Sequence, residues 1–186
     1  MARYLIVPGW GGSGPDHWQS RWERDLDGAE RVEMSDWLGP RRADWILAID
    51  DAVAVARIAG EPPPVLIGHS LGCIAIAHWA AQATQPVRAA LLVAPADVER
   101  PACPEPLLDF APLPRRALPF PALTIASDDD PYISLERAAE LARWWGSGLV
   151  PIPRGGHLNA ASGLGDWPQG RALLDSLVER AARTAA

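Results

Sequence analysis

Short apolar runs recur along this chain, separated by longer stretches whose apolar residues fall three or four apart. Tyr4–Val7, Val65–Ile67, Ala89–Val93, Leu123–Ala126 and Leu149–Ile152 are continuous runs without polar alternation. That is the pattern of strands buried on both faces. Arg31–Met34 is a weaker sixth candidate. Between the runs the period changes to that of a helix. Trp18, Trp22 and Leu26 stand at i, i+4 and i+8, with Asp16 placed to cap them. Ile46, Ile49, Val53 and Ala56 mark one face of a helix from about Arg41 to Ala59, ended by Gly60. An Ala-rich helix is predicted over Leu71–Ala83. Another follows Ser134, carries Leu135, Leu141, Ala142 and Trp145, and stops at Gly146. Leu173, Leu174, Leu177, Val178 and Ala181 form the stripe of a final helix.

Strands alternating with helices predict an α/β fold: about six mostly parallel strands in one central sheet, with helices on both faces. Residues 96–121 break the rhythm. They hold seven prolines and few periodic apolar positions. They read as an irregular excursion over the sheet, with a helical turn near Leu107–Phe110, and they are too short for a large cap. No repeat or low-complexity linker divides the 186 residues, so one domain over 1–186 is expected.

Composition narrows the function. Hydrophobic residues make up 48% of the chain, enough for a substantial core. A net charge of −6 argues against a nucleic-acid partner, which needs a basic face. No apolar run approaches the ~18 residues of a membrane span. Met1-Ala2-Arg3 runs straight into the first strand without signal-peptide architecture. Two cysteines, Cys73 and Cys103, make no disulfide framework, so a cytoplasmic location is the default expectation. Four scattered histidines and two distant cysteines show no metal-ligand spacing, and no cofactor is expected. Nine tryptophans are unusual, and those in loops are candidates for a pocket wall.

The chemistry gathers where predicted strands end. Gly68-His69-Ser70-Leu71-Gly72 lies between an apolar run and a small-residue helix, the strand–turn–helix context of a nucleophile elbow. There the Ser70 hydroxyl would be exposed, and the Leu71 N–H would open a helix that favours developing negative charge. Pro8-Gly9-Trp10-Gly11-Gly12 follows the first strand, where a second oxyanion donor belongs; that donor would be the Trp10 N–H. A serine needs a base, and the base needs an orienting acid. Ser127-Asp128-Asp129-Asp130-Pro131 supplies the acid, Asp130 before Asp129 in preference. The others read as solvated turn residues or acceptors of backbone N–H groups. Gly155-Gly156-His157 supplies the base in the required order. His69 reads as shaping the turn, His78 as structural, and His17 as a cap, a surface residue or a pocket wall.

Together these segments resemble the RBBP9/YdeN family of small serine hydrolases within the α/β-hydrolase superfamily. The matching pieces are Val7–Gly12, His17-Trp18, Gly68–Gly72, Ser127–Tyr132 and Gly156–Asn159. The resemblance implies a compact α/β-hydrolase fold with Ser70 as nucleophile, Asp130 as acid and His157 as base. A Leu-x-Cys-x-Glu motif that some relatives use for a protein partner is not matched by Pro101-Ala102-Cys103-Pro104-Glu105. The expected activity is hydrolysis of small carboxylic esters through an acyl-serine. Amide or thioester cleavage with the same triad, or a binding module with little turnover, are the alternatives. Trp10, His17, Trp18, Trp37, Asn159 and Trp167 are the expected substrate-binding residues, and a small-molecule ester is the expected partner.

Overall fold

A computed structural model describes residues 2–184; Met1 and the last two residues lie outside the description. Six strands form: β1 (Tyr4–Val7), β2 (Ala29–Arg31), β3 (Val65–His69), β4 (Ala89–Val93), β5 (Ala122–Ser127) and β6 (Gly148–Ile152). They make one sheet in the order β2-β1-β3-β4-β5-β6, and every pairing is parallel. Among the described residues five α-helices accompany them: α1 (Trp18–Asp25), α2 (Arg42–Ile58), α3 (Leu71–Ala80), α4 (Leu135–Trp145) and α5 (Pro168–Thr184). Among the described residues, no helix is long and apolar enough to cross a membrane.

The continuous apolar runs split residue by residue between two cores, because successive strand side chains point to opposite faces. Leu5, Val7, Leu66, Ala90 and Leu92 join the core that buries α2, α3 and α4. Tyr4, Ile6, Val65, Ile67, Ala89, Leu91 and Val93 join the core beneath α1 and α5. α3 is buried all round except at His78, which explains its composition of small and aliphatic residues. The edges are managed by brevity and by proline. β2 has three residues. β6 carries Pro151, whose missing N–H is tolerable only on an edge strand.

Three local expectations shift. The weak strand lies at Ala29–Arg31 rather than Arg31–Met34. Val32 and Met34 are buried against the α2 side of the sheet, and the Val32 N–H still donates to the Ile6 carbonyl at 2.9 Å, so the apolar signal marks the buried continuation of the chain past β2. α3 stops at Ala80 rather than Ala83. The cap of α1 is His17, not Asp16: the His17 Nδ1 accepts the Gln19 N–H at 3.1 Å. Residues 96–121 carry one 3₁₀ helix, over Glu105–Phe110. The His78 imidazole donates to the Phe110 carbonyl at 2.8 Å and ties this excursion to α3.

The chain leaves β1 toward β2 on one side and later returns to place β3 on the other. In parallel α/β sheets such a reversal opens a crevice at the carboxyl ends of the strands. Gln19, fully buried, spans this point: its amide donates to the carbonyls of Val7 (3.3 Å) and Ile67 (3.0 Å).

Candidate active site

β3 runs directly into α3 through Ser70. For that turn to close, Ser70 adopts φ 53° and ψ −120°, a conformation strongly disfavoured for an L residue. Its N–H still donates to the Val93 carbonyl at 3.0 Å, so the strained residue is locked to the sheet. The flanking glycines are steric necessities. A Cβ on Gly72 would lie 2.2 Å from the Val7 carbonyl oxygen, and one on Gly68 would lie 2.8 Å from the Ile76 side chain. Gly9 is equally constrained: a Cβ there would meet the Ser70 Cβ at 2.8 Å. The loop after β1 therefore passes directly over the serine. The Trp10 indole donates to the Leu38 carbonyl at 2.9 Å, and the Gly11 N–H donates to the Trp37 carbonyl, also at 2.9 Å. These bonds anchor the loop from its outer side.

The Ser70 hydroxyl lies 2.9 Å from the Nε2 of His157. The other imidazole nitrogen, Nδ1, donates to Asp130, 2.8 Å from Oδ2 and 3.0 Å from Oδ1. The Asp130 carboxylate also accepts the Tyr132 N–H at 2.9 Å, and its side chain is removed from solvent. With Nδ1 protonated, Nε2 is the free base facing the serine. The neighbouring aspartates take different partners on the same facing loop. Asp128 accepts the Arg154 N–H at 2.7 Å. Asp129 accepts the Gly156 N–H and the Ser127 hydroxyl, both at 2.7 Å. Those hydrogen bonds, the Ser127 hydroxyl first, hold the Asp129 carboxyl below its usual range. Three successive aspartates thus grip three positions of the loop that carries His157. Arg154, Gly156 and Leu158 all have positive φ there, and the clamp holds this tightly bent backbone in place.

His69 adds a further tie. Burial pushes its pKa well below the ordinary histidine value, so the ring is neutral, and its Nε2–H donates to the His157 carbonyl at 3.0 Å. The elbow thereby grips the base through main chain as well as through the serine.

The serine hydrolase family model matches residues 4–176. The chain belongs to the serine hydrolase family. A YdeN-like hydrolase from Pectobacterium atrosepticum is 33% identical to it, with a TM-score of 0.85 over 97% of this chain and 92% of the other. The ydeN gene product of Bacillus subtilis is 21% identical, with a TM-score of 0.74 over 96% and 100% of the two chains. Est1E from Butyrivibrio proteoclasticus, solved with ferulic acid bound, shares the fold at 14% identity and a TM-score of 0.68, covering 98% and 89%. No curated protein matched the sequence. This serine hydrolase is thus an α/β-superfamily hydrolase of the YdeN type, as its motifs suggested.

A cavity of about 460 Å³ opens onto Ser70. Of the six residues expected to bind substrate, Trp10, His17 and Asn159 line it. Trp18, Trp37 and Trp167 do not. Trp18 is buried beneath the site, where its indole donates to the Leu158 carbonyl at 2.8 Å and steadies the residue after His157. Trp167 is buried beside it, ring centroids 5.0 Å apart. Trp37 backs the loop after β1, with its ring against Gly12 and edge-on to Trp45. These three indoles support the loops that carry the site rather than face its cavity. Position in a loop or beside a motif does not fix which way a side chain turns.

Other residues of this family member escaped the sequence reading. Gln19 sits in the first turn of α1 and gave no local signal, yet it bridges the crevice. Arg100 and Leu107, from the proline-rich excursion, line the cavity with Tyr132. Tyr132 stands edge-on to His157 at 4.6 Å, and its place directly after Asp130-Pro131 was the available hint. His17 has a second feature. Its Nδ1 is an acceptor, so Nε2 carries the proton, and that buried nitrogen has no hydrogen-bond partner. Burial lowers its pKa to about 4, which keeps the ring neutral.

Proposed function

We propose that this protein hydrolyses small carboxylic esters through an acyl-serine intermediate. The observation that carries the reading is the unbroken hydrogen-bonded chain from Ser70 through His157 to Asp130. His157 takes the proton of the Ser70 hydroxyl as its oxygen attacks the ester carbonyl. Asp130 holds the imidazole in the correct tautomer and stabilises the imidazolium. The tetrahedral oxyanion is received by the N–H groups of Leu71, at the start of α3, and Trp10, in the loop over the serine. His157 then returns the proton to the departing alcohol. Water, activated by the same imidazole, releases the acid. Removing one oxyanion donor in such a site typically costs about 3 kcal/mol of barrier.

Trp10, His17 and Asn159 form the binding wall. His17 lends the face of its neutral ring to this wall while its Nδ1 caps α1. A cavity of about 460 Å³ suits a small acyl group better than a long lipid chain. The same apparatus would cleave thioesters or amides, with leaving-group chemistry deciding the rate. The deciding experiment is hydrolysis of 4-nitrophenyl esters from acetate to octanoate by wild type and Ser70→Ala. Turnover that needs Ser70 and peaks at short chains is expected. Equal rates for the two proteins would overturn the mechanism.

A further inference from the structure

Among the described residues, the cavity over Ser70 is lined by one arginine and by no carboxylate. Its lining comprises glycines, alanines, aromatic rings, histidines, Asn159 and a single arginine, Arg100, with no carboxylate exposed to it. Arg100 is half-buried, and its guanidinium lies over the Tyr132 ring, 5.3 Å from the centroid. Among the described residues no carboxylate lies within ion-pair distance of it. This is notable because its own segment is acidic. Asp97 pairs with Arg137 at 3.4 Å. Glu99 pairs with Arg137 and Arg115 and accepts the Leu113 N–H. Both nearby carboxylates are thus committed to cations on the other side, in a protein whose net charge is −6. Arg100 is left facing the cavity, steadied by a ring that itself rests on His157.

We infer that the substrates of this site are anionic esters, carrying a carboxylate or equivalent negative charge that Arg100 receives. The inference rests on the hydrolase reading above and adds to it a substrate class. An arginine offers a planar fork of donors matched to a carboxylate, and its stacking on Tyr132 limits the freedom lost on binding. A neutral ester of the same shape would leave the cation without a partner.

Two matched pairs of probes test this. With the charge on the acyl side, 4-nitrophenyl hemisuccinate is compared with 4-nitrophenyl butyrate. With the charge on the alcohol side, 4-acetoxybenzoate is compared with its methyl ester. Each pair is measured for kcat/KM with wild type and Arg100→Met, which keeps the stem over Tyr132 without the charge. In at least one pair wild type should favour the anion about tenfold, the worth of one charge-assisted hydrogen bond. Arg100→Met should erase that preference, lowering kcat/KM for the anionic member about tenfold relative to the neutral member. Preferences identical in the two proteins, or a wild-type preference for the neutral ester in both pairs, overturn the inference. Binding separates this from failure of the hydrolase reading. Ser70→Ala is titrated with monomethyl succinate and with methyl butyrate, with and without Arg100→Met. An Arg100-dependent preference for the anion in binding, without turnover of any ester by wild type, upholds the anion site and removes the esterase. Turnover of the neutral esters, with no Arg100 effect in rate or binding, does the reverse.

Discussion

Replacing Ser70 by glycine should give a more stable protein than replacing it by alanine, although both lose activity. The two substitutions remove the same hydroxyl and the same 2.9 Å hydrogen bond to His157, so those losses cancel in the comparison. They differ in backbone. At φ 53° and ψ −120° alanine retains the steric strain of Ser70, while glycine does not. A residue held in such a region costs about 1–3 kcal/mol. Glycine gives back about 0.4–1 kcal/mol through the greater freedom of its unfolded chain. The balance favours Ser70→Gly over Ser70→Ala by about 0.5–2 kcal/mol. Urea unfolding, followed by tryptophan fluorescence, reads this directly. With a denaturant slope of about 2 kcal/mol per M, the glycine midpoint should lie roughly 0.3–1 M higher. Equal midpoints, or a higher one for alanine, would refute the claim that the elbow stores strain at its serine.

Two more outcomes follow from the same geometry. Asp130→Asn should lower kcat about 10⁴-fold by losing control of the His157 tautomer. Asp129→Ala, which only loosens the loop, should cost far less, and the reverse ranking would reassign the acid. Stability should fall between pH 7 and pH 5 through His17. Its folded pKa, about 4, lies below the unfolded value near 6.5, so protons favour the unfolded chain as pH drops through that window. The His17 share of the loss is about 2 kcal/mol over those two pH units, and urea midpoints should show a shallower slope in His17→Gln.

Much of this architecture was legible because the physics behind it is local. Continuous apolar runs of four or five residues marked strands covered on both faces, and Gly60, at φ 72°, marked the end of α2. The Gly-x-Ser-x-Gly turn declares itself because Gly68 and Gly72 leave no space for a side chain. Chain order then placed Asp130 and His157. What stayed hidden depends on contacts made across the chain. Trp18 reads as one rung of an amphipathic helix, and only the fold brings its indole to Leu158, 140 residues away. Gln19 looks like an ordinary polar residue until α1 lies across the ends of β1 and β3. Arg100 sits in a segment with no periodicity at all, and its significance comes from which carboxylates its neighbours have already taken. Val32 and Met34 show the converse, an apolar pattern read as the strand itself where it marks the buried residues that follow β2.

The grip of Asp128 on Arg154, Asp129 on Gly156 and Asp130 on His157 has a consequence for how this site can be altered. The two loops are meshed like a key in a lock, tooth against tooth. Adding or deleting one residue in either loop would not merely lengthen it; it would move every later tooth to the wrong notch and carry His157 away from Ser70. The loops after β5 and β6 therefore form one inherited unit of fixed length, to be kept or transplanted together. Variation in substrate range can enter instead by side-chain replacement in the proline-rich excursion, which supplies Arg100 and Leu107 to the cavity wall.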